Sequence, residues 1–344
     1  MEAQILGIGK LIIQQMLFRF SYFFFLLISY NASSQILPFK TYTTKDGLID
    51  QQVTAIIKDD RGLLWVGTPF GVNWFDGNNF YEPPIQVQTG QLYVTNFYKD
   101  LKGDIWTLTY YNGLYRYRDG KFTNFLPNAG SIVSTQNNVF WLLQYDATRY
   151  LVGTDPNIFW FDGKNFTLFE EKNLDFRRHF NSSAKLQDGS VLLGGAEGIW
   201  LYKNTDGLLK KHRAFLSDHA IHQITTNQKN ELWVSTNKGL YYYATPTRFF
   251  SQQPSHIYLP RQNVRSNVKT NDGSIWIAAD KIYNIQRDRL FSYDEKNGLS
   301  EQVVNIYHDP ENITWFITDK GLSSLSNEHY KFYDLRTGPA NSMT

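Results

Sequence analysis

Apolar and polar positions alternate along this chain in short stretches, and the pattern returns in register about every 40 residues. In the first unit, Val53-Thr54-Ala55-Ile56-Ile57-Lys58 reads as a strand and Asp59 to Gly62 as a turn. Leu63 to Thr68, Gly71 to Phe75 and Asn79-Phe80-Tyr81 then give three further strands, so one unit is a four-stranded meander. With Trp65 as the mark, equivalent positions fall at Trp106, Leu151, Leu192, Trp233, Trp276 and Trp315, at intervals of 41, 45, 41, 41, 43 and 39. Solenoid repeats of this length are helical and show 3.6-residue apolar spacing, whereas here the period is 2 or the run is short, β-branched and aromatic. The pattern predicts an all-β fold, a seven-bladed β-propeller of four-stranded antiparallel blades.

The turns repeat with the strands. Three residues before the mark stand Gly62, Gly103, Gly189, Asn230, Gly273 and Asn312, with Thr148 the exception. Glycine and asparagine are what a tight hairpin needs where φ becomes positive. These residues and the marking tryptophans report turn geometry and blade packing rather than chemistry. The first extended segment, Phe39 to Thr43, precedes the first innermost strand and matches an outer strand without a blade of its own. It is expected to close the ring on Leu322 to Leu325, in competition with Tyr330 to Leu335.

At the N-terminus, Phe20-Ser21-Tyr22-Phe23-Phe24-Phe25-Leu26-Leu27-Ile28-Ser29 is an apolar core behind Arg19, and Ala32-Ser33-Ser34 supplies the small residues a signal peptidase reads. Residues 1–34 are expected to be a signal peptide, with Met16 as an alternative start, and residues 35–344 one propeller placed in the periplasm or outside the cell. The run is shorter than the roughly 20 residues of a spanning helix. Cysteine is absent, which removes disulfides and thiolate metal sites. Formal net charge is +2, or +1 once Glu2, Lys10 and Arg19 are removed with the leader, so nothing favours a nucleic-acid partner.

Candidate chemistry is sparse. There is no G-x-S-x-G elbow, phosphate loop or HExxH, so no catalytic residue, metal or cofactor is expected. His219 and His222 stand three apart beside Asp218, but in an extended strand such a pair faces opposite ways. A propeller binds ligands at the mouth of its channel, through second-to-third-strand loops and blade-to-blade links. Aromatic platforms beside polar groups suit sugars. The richest loops are Thr109-Tyr110-Tyr111-Asn112, Phe176-Arg177-Arg178-His179-Phe180 and His256-Ile257-Tyr258-Leu259-Pro260-Arg261. Tyr110, Tyr111, Asn112, Arg178, His179, Tyr258 and Arg261 are therefore the candidate ligand residues, and Tyr110, Tyr111, Arg178, His179 and Arg261 are expected on one face of the disc; the bland reading makes these solvated loops or a protomer contact.

Phe39-Lys40-Thr41-Tyr42-Thr43-Thr44-Lys45-Asp46-Gly47-Leu48, then Asp60-Arg61-Gly62-Leu63-Leu64-Trp65-Val66-Gly67-Thr68, then Gly71-Val72-Asn73-Trp74-Phe75-Asp76-Gly77 resembles the two-component regulator propeller repeat. The resemblance runs over roughly residues 36 to 335 and is looser in the third, fourth and sixth repeats, where Leu151, Leu192 and Ala278-Ala279 depart from it. It implies the periplasmic sensor region of a Bacteroidetes-type hybrid two-component histidine kinase, many of which detect oligosaccharides. A kinase, a transmembrane helix and a second propeller, which such receptors usually carry, do not follow Thr344 in this sequence. The expected function is an extracytoplasmic, non-catalytic, oligosaccharide-sensing propeller, with a second propeller or a homodimer as partner. The alternatives are a free secreted interaction module and a propeller lyase of the streptogramin-inactivating type.

Overall fold

The hairpin turns form where glycine and asparagine stand. Gly62, Gly103, Gly189 and Gly273 have φ of 79° to 86°, and Asn230 and Asn312 have φ of 55° and 63°. The computed structural model describes residues 37–326 apart from 88–89, 131–133, 156, 170–179, 206–207, 288, 295–298 and 300–301. The expected leader and the competing segment Tyr330 to Leu335 lie outside these residues.

Seven antiparallel four-stranded sheets are present. Blade 1 is Ala55–Lys58, Leu64–Thr68, Gly71–Phe75 and Phe80–Tyr81. Blade 2 is Val94–Lys99, Ile105–Thr109, Leu114–Arg118 and Lys121–Phe125; blade 3 is Val139–Gln144, Tyr150–Thr154, Ile158–Phe161 and Phe166–Leu168. Blade 4 is Phe180–Lys185, Val191–Gly195, Gly198–Thr205 and Leu208–Phe215; blade 5 is Ile221–Thr226, Leu232–Thr236, Gly239–Tyr243 and His256–Tyr258. Blade 6 is Ser266–Lys269, Ile275–Ala278, Ile282–Gln286 and Arg289–Tyr293. Blade 7 takes Val303–His308, Ile313–Thr318 and Gly321–Ser326 from the C-terminal side and Lys40–Tyr42 from the N-terminal side. Lys40, Thr41 and Tyr42 pair with Ser324, Ser323 and Leu322, so the N-terminal strand closes the ring as expected.

Closure reuses the contacts made elsewhere. The Lys58 N–H donates to the Tyr307 hydroxyl across the blade 7 to blade 1 seam (3.1 Å), as the Gln144 N–H does to Tyr98 between blades 2 and 3. Lys58 Nζ adds a buried ion pair at 3.2 Å to Asp309 and a second, at 2.6 Å, to the exposed Glu311. Innermost strands of successive blades touch round the whole circle.

The core lies between blades. Trp65, Trp106, Trp233, Trp276 and Trp315 all sit on second strands and none is more than 8% exposed. Leu151 and Leu192 hold the same place in blades 3 and 4 and are equally buried. Small residues two places on let neighbouring blades approach: a Cβ on Gly67 would meet Val94 Cγ1 at 2.5 Å, and one on Gly194 would meet Ile221 Cγ2 at 2.6 Å.

Three features exceed the sequence pattern. Blade 4 ends in a hairpin of two eight-residue strands, while blade 1 ends in a strand of two. A short helix, Pro246–Phe250, interrupts blade 5, capped by the Thr245 hydroxyl and anchored by Phe249 on Phe215 and Tyr243. The innermost strands carry β-bulges in blades 2, 3, 4, 5 and 7. A bulge leaves one residue outside the ladder and re-aims it.

Candidate functional site

The four-strand meander puts first-to-second and third-to-fourth turns at one end of every blade. Second-to-third loops and blade-to-blade links lie at the other. Their adjacency on this loop face is direct: Arg261 N–H donates to the Lys238 carbonyl (2.9 Å), Tyr110 N–H to the Tyr93 carbonyl (3.0 Å) and Gly113 N–H to the Asn137 carbonyl (3.0 Å).

On the blade 2 and 3 side of the loop face, aromatic rings gather. Tyr110 meets Tyr93 edge-on with centroids at 4.8 Å, Phe140 edge-on at 5.4 Å, and Tyr111 at 6.1 Å. Tyr111 adopts φ of 65° and is 48% exposed. Phe70, at the same place in the blade 1 loop, is 59% exposed. Burial first, then Tyr93 and Asp155, push the Tyr110 phenol above its ordinary value, which keeps it a neutral hydrogen-bonding group. Asn112 is buried, and its Nδ2 donates to the Gln91 carbonyl at 3.0 Å and the Tyr110 carbonyl at 3.3 Å, so it shapes the loop from inside. Arg261 is exposed, with φ of 68°. Tyr258 lies on the outer strand of blade 5, stacked along Trp233 and 4.1 Å from the His256 ring. Arg178 and His179 lie outside the described residues.

Toward the axis, the bulged residues are Thr95, Phe140, Asn181, His222 and Val304; Thr54 and Arg265 hold the corresponding positions in blades 1 and 6. Asn181, His222, Arg265 and Val304, from four consecutive blades, line a central cavity of about 330 Å³. The next residues along these strands do a different job. Ser182 Oγ accepts from Ile224 N–H (2.9 Å), Gln223 Oε1 from Asn267 N–H (2.8 Å), and Ser266 Oγ lies 2.7 Å from Asn305 Oδ1, so this layer ties blade to blade. Sequence reasoning missed Phe70, Tyr93, Phe140 and this polar ring. A signal existed: every bulge position stands eleven residues before its mark.

His219 and His222 do not form a metal pair. His219 lies in the link before the strand, with Nδ1 2.7 Å from Asp218 and Nε2 2.8 Å from the Tyr241 hydroxyl, whereas His222 Nε2 lies 2.7 Å from Asn263 Oδ1. Hydrogen bonds from Lys238 and then His219 lower the Asp218 carboxyl to about 2. Among the described residues no group of His, Asp and Glu is placed to hold a metal ion.

Residues 47–70 match the family model of the two-component regulator propeller. Over 58 residues the chain is 47% identical to histidine kinase P4 of Formosa agariphila, a stretch that is 17% of this chain and 4% of that protein. The extracellular domain of the hybrid two-component system BT3049 of B. thetaiotaomicron matches with a TM-score of 0.68 at 19% identity, over 85% of this chain and 41% of that one. The propeller chain thus spans less than half of that domain. Virginiamycin B lyase of Staphylococcus aureus matches with a TM-score of 0.62 at 13% identity, over 84% of this chain and 98% of that one. Both likenesses are of fold.

Proposed function

We propose that this propeller is the extracytoplasmic, non-catalytic ligand-sensing part of a two-component receptor, and that its ligand is an oligosaccharide bound on the loop face. The observation that carries the reading is the aromatic cluster of Tyr93, Tyr110, Tyr111 and Phe140 beside a polar channel mouth. Sugar C–H faces stack on such rings while hydroxyls need side-chain partners, and the cavity supplies Asn181 and His222. The repeat in residues 47–70 and the histidine kinase likeness support the sensor role.

Sensing requires that the ligand favour one arrangement of the receptor, since a ligand with equal affinity for both shifts nothing. A ligand that bridges loops of several blades would meet this condition by favouring the arrangement in which those loops sit together. A glycan array followed by calorimetry on the exported chain tests the reading. Binding without turnover of the bound saccharide is expected. No binding to any saccharide overturns it, and turnover replaces it with the lyase reading.

A further inference from the structure

The central cavity carries a charge that the sugar-stacking rings do not explain. Arg265 is on its wall, and no Asp or Glu lines it. Arg265 Nη1 donates to the Ala279 carbonyl (2.6 Å) and the Val303 carbonyl (3.3 Å). Those bonds hold the guanidinium still without neutralising it, and among the described residues no carboxylate is ion-paired with Arg265. With Nη1 committed, the Nε–Nη2 edge remains, and two parallel N–H groups on that edge match a carboxylate bidentately. Around it stand polar groups: Asn181 and His222 line the same cavity, and His222 is steadied by Asn263. A concave wall with one sign of charge focuses its field on an entering ligand.

We propose that the cavity takes the carboxylate of an acidic sugar, with Arg265 as its counter-ion, Asn181 and His222 as hydroxyl partners, and the Tyr110–Phe140 rim stacking the residues that follow. The ligand class is thereby narrowed to uronate-bearing oligosaccharides. This rests on the oligosaccharide reading above. Arg265 is a specificity residue, and it holds in blade 6 the position that the bulged residues hold in blades 4, 5 and 7.

The exported chain is titrated calorimetrically at low salt with trigalacturonate, triglucuronate, galactotriose and maltotriose. An acidic trisaccharide is expected to bind at least ten-fold more tightly than its neutral counterpart, with the preference shrinking as salt is raised. Arg265→Gln should erase the preference and Arg265→Lys should restore part of it. Because Nη1 also supports two carbonyls, Asn181→Asp is a second variant that leaves those bonds alone. It should weaken acidic binding several-fold and neutral binding less, so that the preference shrinks. Equal or better binding of the neutral trisaccharides, or an acidic preference that survives Arg265→Gln or does not shrink in Asn181→Asp, overturns the proposal while the oligosaccharide reading stands. Binding of none of the four, together with an empty glycan array, overturns both.

Discussion

The two faces of the disc are built by opposite rules. On the turn face, blades 1, 2 and 7 repeat one device almost atom for atom. The carboxylates of Asp59, Asp100 and Asp309 each accept from backbone N–H groups two and four residues on, and from the indole Nε1 of Trp65, Trp106 and Trp315 at 3.0 Å. On the loop face the corresponding loops differ blade by blade: Phe70, then Tyr110-Tyr111, then Asp155, Glu197, Lys238, Asp280 and Lys320. A turn that must cap a hairpin and fix a buried indole has few solutions. A loop whose backbone is already held by its neighbour can carry any side chain. The repeat is therefore legible where it serves the fold and fades where ligands would bind.

The largest effect should come from the indoles. Trp106→Ala removes a ring packed on Phe125, Tyr150 and Phe161 and leaves a cavity between blades 2 and 3. A loss of about 3–5 kcal/mol is expected. A denaturation midpoint close to that of the parent would show that the blade seams, rather than the marks, carry stability.

Asp100→Ala comes next. Its carboxylate serves Lys102 N–H, Asp104 N–H, the Trp106 indole and the Tyr150 hydroxyl, all within 3.1 Å. Stranding buried donors costs about 1–3 kcal/mol each, offset in part by relaxation and water entry. Asp100→Asn, which keeps one acceptor oxygen, should recover part of the loss by chemical denaturation. The same latch sets an alkaline limit. Burial first, then the hydrogen bond to Asp100, raises the Tyr150 phenol far above its ordinary value. A raised phenol contributes in full below about pH 10, its unfolded value, and loses that contribution as pH climbs toward the folded one. Stability measured at rising pH should hold level in this respect up to that point and then fall.

Ring closure is a smaller, local term. Gly321 has φ of 129°, and a Cβ there would meet the Tyr42 carbonyl oxygen at 2.2 Å, so Gly321→Ala should push the closing strand off its partner. A loss of roughly 1–2 kcal/mol is expected, since left-handed backbone alone disfavours alanine by about that much. Faster proteolysis near residue 40 should accompany it, and unchanged proteolysis would mean that closure resides in the Lys58–Asp309 seam instead.

Blade number, the marking tryptophans, the positive-φ turns and the N-terminal closing strand were all readable, because each follows from period, turn chemistry or the surplus of one strand. The bulges were not. A bulge does not change which residues are apolar, only which one leaves the ladder, so Thr95, Asn181 and His222 looked like ordinary strand positions. The helix Pro246–Phe250 is too short to show a period, although Thr245 followed by Pro246 is a capping signal. Among the proposed ligand residues, Tyr110 and Tyr111 were legible from aromatic content, but Asn112 was chosen by adjacency and turns inward to Gln91. His219 and His222 separate because a link intervenes before the strand, which strand alternation did not consider.

The smallest effect on stability, and the one that best separates the two faces, belongs to Tyr111→Ala. The Tyr111 ring is 48% exposed and meets Tyr110 only at 6.1 Å, while its backbone N–H donates to Asn138 Oδ1 at 2.9 Å whatever the side chain. The positive φ of 65° is adopted by tyrosine and alanine alike with some strain, so little is gained or lost there. Thermal unfolding should therefore stay within about 0.5 kcal/mol of the parent. Binding is a different matter, since an aromatic contact to a sugar face is worth on the order of 1 kcal/mol. Tyr111→Ala should weaken saccharide binding several-fold with its melting point intact, the reverse of Asp100→Ala, which should melt early yet bind normally while folded. If Tyr111→Ala instead lowers the melting point as Asp100→Ala does, the loop face is part of the scaffold and the division between the faces fails.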